Sequence, residues 1–122
     1  MQSAAQAYGS VARKIASPRD LEADLLLKAA ARLQGVMDTW EDTTRQQFID
    51  ALIYNRKLWT IFLTSVTEPD CPLPPEVRQN IANLGLFIMN HTMAIMDQPE
   101  PQRLRSLINI NREIAAGLLG RA

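Results

Sequence analysis

The sequence predicts an all-α fold, a single-domain bundle of about five helices. Three observations carry that prediction. Apolar residues recur at three- and four-residue intervals through most of the chain, and no segment alternates with period two for long enough to suggest a sheet. Helix-start signals and proline clusters then divide the chain into helix-length pieces. A length of 122 residues fits one domain, 1–122, large enough to bury one real core.

The first helix is expected from about Ala4 to Ile15. Ser17-Pro18-Arg19-Asp20 opens the second. Ser17 can cap, Pro18 sits where a missing N–H costs nothing, and Asp20 favours the positive end of the helix dipole. This helix runs to about Trp40, with Leu21, Leu25, Ala29, Leu33, Val36 and Trp40 as its expected apolar stripe. Thr44-Arg45-Gln46-Gln47 has the spacing of a capping box and opens a third helix, to about Val66. Phe48, Leu52, Trp59, Phe62, Leu63 and Val66 share its inner face.

Pro69, Pro72, Pro74 and Pro75 then make a stiff link that cannot continue a helix. The fourth helix spans about Glu76 to Met96, with Val77, Ile81, Leu84, Ile88 and Ile95 inward. Pro99 and Pro101 interrupt again, and a fifth helix covers about Gln102 to Leu119, ended by Gly120. Short connections favour antiparallel neighbours.

Thirteen basic residues balance thirteen acidic ones, which argues against a general nucleic-acid or anionic-membrane binder. The longest apolar runs fall far short of the roughly 18 residues a membrane span needs. No secretory signal pattern opens the chain, and the lone Cys71 can form no internal disulfide, so a cytoplasmic protein is expected.

Little in the sequence carries catalytic chemistry. His91 shares a helical face with Leu84, Ile88 and Ile95, the setting of a hydrogen-bonded boundary histidine. Cys71 stands between Asp70 and Pro72 with no nearby histidine to make it a thiolate. Glu22 and Asp24 point about 200° apart around their helix and cannot share a metal. Metal-ligand spacings and glycine-rich phosphate loops are missing from the sequence. The expectation is a protein that is not an enzyme and uses no cofactor.

The helices instead carry surplus apolar surface. On the fourth, Ala82, Leu86, Met89 and Met93 form a second stripe roughly opposite the inner one. Such a helix is either central in the bundle, which is the expectation here, or turns one side to a partner. Tyr54, Leu58 and Ile61 repeat the pattern more weakly on the third helix. Asn55 and Asn111 fall on apolar faces, so each amide must be hydrogen-bonded inside the bundle or available to a ligand's backbone.

Three strings carry a family resemblance: residues 52–62 (LIYNRKLWTIF), 78–89 (RQNIANLGLFIM) and 107–118 (LININREIAAGL). With Ala7-Tyr8-Gly9-Ser10-Val11-Ala12 and Ser17 to Glu22, the chain resembles the flagellar biosynthesis regulator FlaF family over nearly its whole length. The resemblance implies a cytoplasmic, non-enzymatic role in flagellin production or export, alongside the companion regulator FlbT. One reading is a flagellin-binding chaperone or export adaptor that covers the amphipathic ends of the unpolymerised subunit. The other is a regulator of flagellin expression through messenger RNA, directly or with FlbT. For direct RNA contact, Arg103, Arg105 and Arg112 are the candidate basic patch, disfavoured by the zero net charge. For flagellin, the candidate surface is Tyr54, Leu58 and Ile61 with Leu86, Met89 and Met93. Asn83 and Asn90 are the neighbouring amides placed to read a partner backbone.

Overall fold

The computed structural model describes residues 18–120. Within them the chain forms four α-helices and no strand: α1 (Pro18–Asp38), α2 (Arg45–Thr67), α3 (Pro75–Asp97) and α4 (Leu104–Leu118). Single 3₁₀ turns at Trp40–Asp42 and Pro101–Arg103 precede α2 and α4. The fifth helix of the expected count, over residues 4–15, lies outside the described residues, as does the Ser17 cap.

Local signals set most boundaries. The Thr44 hydroxyl accepts the Gln47 N–H at 3.1 Å, and the Gln47 side chain accepts the Thr44 N–H at 3.0 Å, so the capping box is formed. Pro75 occupies the first turn of α3, where its missing N–H deprives no carbonyl. Past the end of α4, Gly120 adopts φ +72°, and its N–H closes on the Gly117 carbonyl at 3.1 Å. That left-handed conformation is one a glycine enters without steric cost. At the other corner, Thr39 and Thr43 donate to the carbonyls of Gly35 and Thr39, which ends α1 and turns the chain into α2.

The helices run up and down in sequence order. α1 packs most extensively on α4, α2 packs on both α1 and α3, and α3 meets α4 only lightly. One core runs through the bundle: Leu26, Leu33, Leu52, Trp59, Leu104, Leu107 and Ile108 of α1, α2 and α4 are nearly sealed from water, and Ile81, Ile88 and Ile95 join them from α3. At ~1.5–3 kcal/mol for each such side chain, these dominate the favourable side of folding.

Two expectations are corrected here. α3, expected as a central helix, stands at the rim: Ile81, Gly85, Ile88, Thr92 and Ile95 are buried, while Val77, Leu86, Phe87 and Met93 are exposed. Its two apolar stripes are real, but only one neighbour, α2, covers it substantially. On α1, Leu21 is 55 % exposed and Leu25 is also exposed, whereas Ala23, Leu26, Ala29, Ala30, Leu33 and Val36 are buried. The heavy contact with α4 rotates the buried face away from Leu21 and Leu25 and onto small alanines that let the helices approach closely.

Candidate functional site

At the centre of the bundle lies a polar knot. The Asn111 side chain donates to the Asn55 carbonyl oxygen at 2.7 Å and to the Leu26 main-chain carbonyl at 3.2 Å. Its own carbonyl accepts the Trp59 indole N–H at 2.9 Å. One side chain on α4 thus ties together α1 and α2. Both amides are fully buried, so they are internal braces and not surface groups for a ligand. Asn55 Nδ2 alone has no hydrogen-bond partner among the described residues.

The single candidates for chemistry each have a defined setting in the fold. His91 is half-buried, stacks on Phe87 with centroids 5.1 Å apart, and its Nε2 lies 3.2 Å from the Arg103 carbonyl. Cys71 is a free thiol packed partly against the core. Glu22 pairs with Arg19 at 3.0 Å. Burial pushes the Glu22 carboxyl above its ordinary range, and Arg19 offsets this only in part. No cluster of potential metal ligands occurs among the described residues.

Two of the three arginines of the candidate basic patch are engaged within the bundle. Arg103 donates to the Ala94 and Gln98 carbonyls at 3.2 and 2.9 Å, neutralising the open carbonyl end of α3. Arg112 reaches Gln34 on α1 at 3.4 Å, which leaves Arg105 as the exposed member without such a contact. Arg78 likewise turns onto the Val66 carbonyl, at the end of α2, at 3.0 Å.

The eight candidate partner residues divide into two groups. Tyr54 is half-buried with the Arg32 guanidinium 4.9 Å from its ring centroid, so it faces α1. Leu58 and Ile61 line a shallow groove between α1 and α2, beside Leu25, Leu26 and Phe62. The other five lie on α3: Leu86 and Met93 are each 64 % exposed, Asn83 and Asn90 are exposed, and Met89 is half-buried against the core. Gly85 explains the separation. A Cβ there would overlap the Leu63 side chain, so α3 seats on the Leu63 flank of α2, away from the flank carrying Tyr54 and Leu58. The structure therefore brings together Leu86, Met89, Met93, Asn83 and Asn90, but not these with Tyr54, Leu58 and Ile61.

Sequence reasoning missed Phe87 as an exposed apolar residue of α3. The narrow, uncharged polar strip of Gln79, Asn83 and Asn90 is legible in the sequence: from Gln79 through Met96 the helix carries no Asp, Glu, Lys or Arg. Along the outer strip Gln79 pairs amide to amide with Asn83 at 3.0 Å. Charge depletion beside exposed Met, Leu and Phe is the composition of an interface core, not of ordinary solvated surface. That signal was legible in the sequence once α3 was known to lie at the rim.

The family model described as flagellar protein FlaF matches residues 4–118. The chain belongs to the FlaF family. No curated protein and no solved structure matches it. Membership makes this a flagellar protein, and the FlaF match spans all four helices, both halves of the candidate surface and the polar knot. No helix among the described residues of this FlaF-family chain is long and apolar enough to cross a membrane.

Proposed function

We propose that this chain is a non-enzymatic, cytoplasmic flagellum-assembly protein that binds flagellin as a chaperone or export adaptor. One observation carries the reading: a rim helix of a flagellar protein presents an uncharged, partly apolar face to water. A flagellin subunit before polymerisation has amphipathic terminal helices to cover, and a helix laid along α3 would bury Leu86, Phe87 and Met93. Asn83 and Asn90 supply donors and acceptors at the edge of that strip without adding a charge to desolvate. Met89, half-buried, acts as floor and not as a contact point. FlbT is the second partner to test. The messenger-RNA reading has less support, because Arg103 is committed to the end of α3 and the net charge is zero.

The test is a titration of purified flagellin into wild type and the Leu86→Glu/Met93→Glu double variant. Binding should weaken at least about tenfold, or ~1.4 kcal/mol, with the fold intact. Wild-type binding should change little between low and high salt, whereas RNA affinity would fall steeply. A folded double variant with unaltered flagellin affinity would remove α3 from the site.

A further inference from the structure

α3 carries two rows of the same spacing. The buried row, Ile81, Gly85, Ile88, Thr92 and Ile95, advances by four, three, four and three residues, and α2 packs along it. One residue on from each member stand Ala82, Leu86, Met89, Met93 and Met96, at the same intervals. Leu86 and Met93 of this outer row are exposed, and the other three are half-buried. Alternating steps of four and three make the seam into which a second helix sets its side chains. The inner seam has its helix. We propose that the outer seam is filled by α3 of a second copy of this chain, running antiparallel about a twofold axis at the level of Phe87 and Ile88.

Charge, shape and border select that occupant. The exposed faces of α1, α2 and α4 carry ionised side chains, as at Lys28, Asp50 and Glu113. Laid on the outer seam, such a face would bury a charge with nothing to pair it, whereas α3 meets its own copy with none from Gln79 through Met96. The antiparallel register sets Leu86 against Met89 and Ala82 against Met93 of the other copy, each twice by symmetry. The one small residue thus meets a long, adaptable side chain. Room for it is already present: a groove of about 420 Å³ lies beside Ala82, walled by Val66, Thr67, Pro75, Arg78 and Gln79. The register brings Met93 and Met96 of the second copy to that level. Along one border, exposed Asn83 and Asn90 come opposite each other across the axis, where amide can pair with amide. Pairing covers Leu86 and Met93, so the dimer is a closed form of the proposed flagellin strip. That regulatory part rests on the flagellin reading; the pairing itself does not.

Sedimentation velocity of the full-length chain tests the pairing. At about 100 μM, which fills a complex of micromolar affinity, wild type should run as a dimer and Leu86→Glu/Met93→Glu as a monomer. Both substitutions fall at exposed positions, so circular dichroism should show unchanged helix content in the variant. A monomeric wild type, or a variant that still dimerises, would overturn the proposal. Cross-linking in a Cys71→Ser background reads the register. Ala82→Cys mixed with Met93→Cys should link through a short bismaleimide. Ala82→Cys alone should not, because its two copies lie about 16 Å apart along the helix axis. Equal linking of Ala82→Cys to itself would refute the antiparallel arrangement. Flagellin separates the two readings: titrated into the wild-type dimer, it should release monomers as the complex forms. A dimer that binds flagellin without dissociating would refute the closed form. A chain that dimerises, yet binds no flagellin when diluted to monomer, would remove the flagellin reading and leave the pairing standing.

Discussion

Helices α1, α2 and α4 meet around a hydrogen-bonded knot sealed in apolar side chains, whereas α3 rests on α2 through a glycine notch and barely touches α4. The two regions are held by different constraints. In the knot, Asn111 must face Asn55, Trp59 and the Leu26 carbonyl together, and a slip in any one helix strands buried polar groups. For α3, position is set by shape at Gly85 and by two arginines capping helix ends, Arg78 on α2 and Arg103 on α3 itself. The lesson is a division of labour: buried amides fix the register of three helices, and α3 keeps one face open to water.

The comparison is most severely tested at Asn111. Asn111→Ala leaves the Trp59 indole N–H and the Asn55 carbonyl oxygen buried and unpaired, so a loss of about 3 kcal/mol is expected. Calorimetry should show a melting temperature lower by roughly 10 °C or more. A loss below about 1 kcal/mol would mean that the knot does not organise the core. Gly85→Val comes next. Its side chain must displace Leu63, and overpacking of this kind costs about 1–3 kcal/mol in a urea titration. Because the strain falls between α2 and α3, tryptophan emission from the native state should stay near wild type. A shifted emission would show that α3 is coupled to the knot after all.

Arg103→Gln should cost about 1 kcal/mol by freeing the Ala94 and Gln98 carbonyls, with faster hydrogen exchange confined to the last turn of α3. On the open face, Leu86→Glu and Met93→Glu should each change stability by under about 0.5 kcal/mol, while half-buried Met89→Glu should cost clearly more. Equal effects at all three positions would erase the distinction between floor and rim.

At Glu22 the sign of a small effect is fixed by linkage. Its folded carboxyl holds a proton more readily than an unfolded one, so stability is lost as pH rises through the window above 4.5. Glu22→Gln removes that dependence and should gain less than about 1 kcal/mol at pH 7, since Arg19 already offsets part of the cost. Overlaid stability–pH curves for the two proteins check it. A variant that is less stable than wild type at pH 7 would show that the Arg19 pair outweighs the burial.

Much of the fold was legible because its signals are local. The Thr44–Gln47 box, the proline link before α3 and Gly120 after α4 act within a few residues, and each stands where the spacing places it. The phase of α1 was not legible. Leu25, Leu26 and Leu27 are consecutive, and only the packing on α4 chooses Leu26 for the core. The candidate site was half legible for a related reason. Helical spacing identified the surplus stripe on α3 and the weaker one on α2, but spacing within one helix says nothing about the angle between two.

By itself, then, the sequence determined helix number across the described chain, helix ends, the internal role open to Asn55 and Asn111, and membership in a flagellar family. The tertiary structure decided which stripe is covered. It put α3 at the rim, turned Tyr54 and Leu58 towards α1, drew Arg103 onto the end of α3, and left a cleft between α3 and α4. The physical reason is that apolar periodicity fixes how much surface a helix must bury, while the neighbour that buries it is chosen by long-range fit, here a glycine against a leucine and one asparagine holding two other helices.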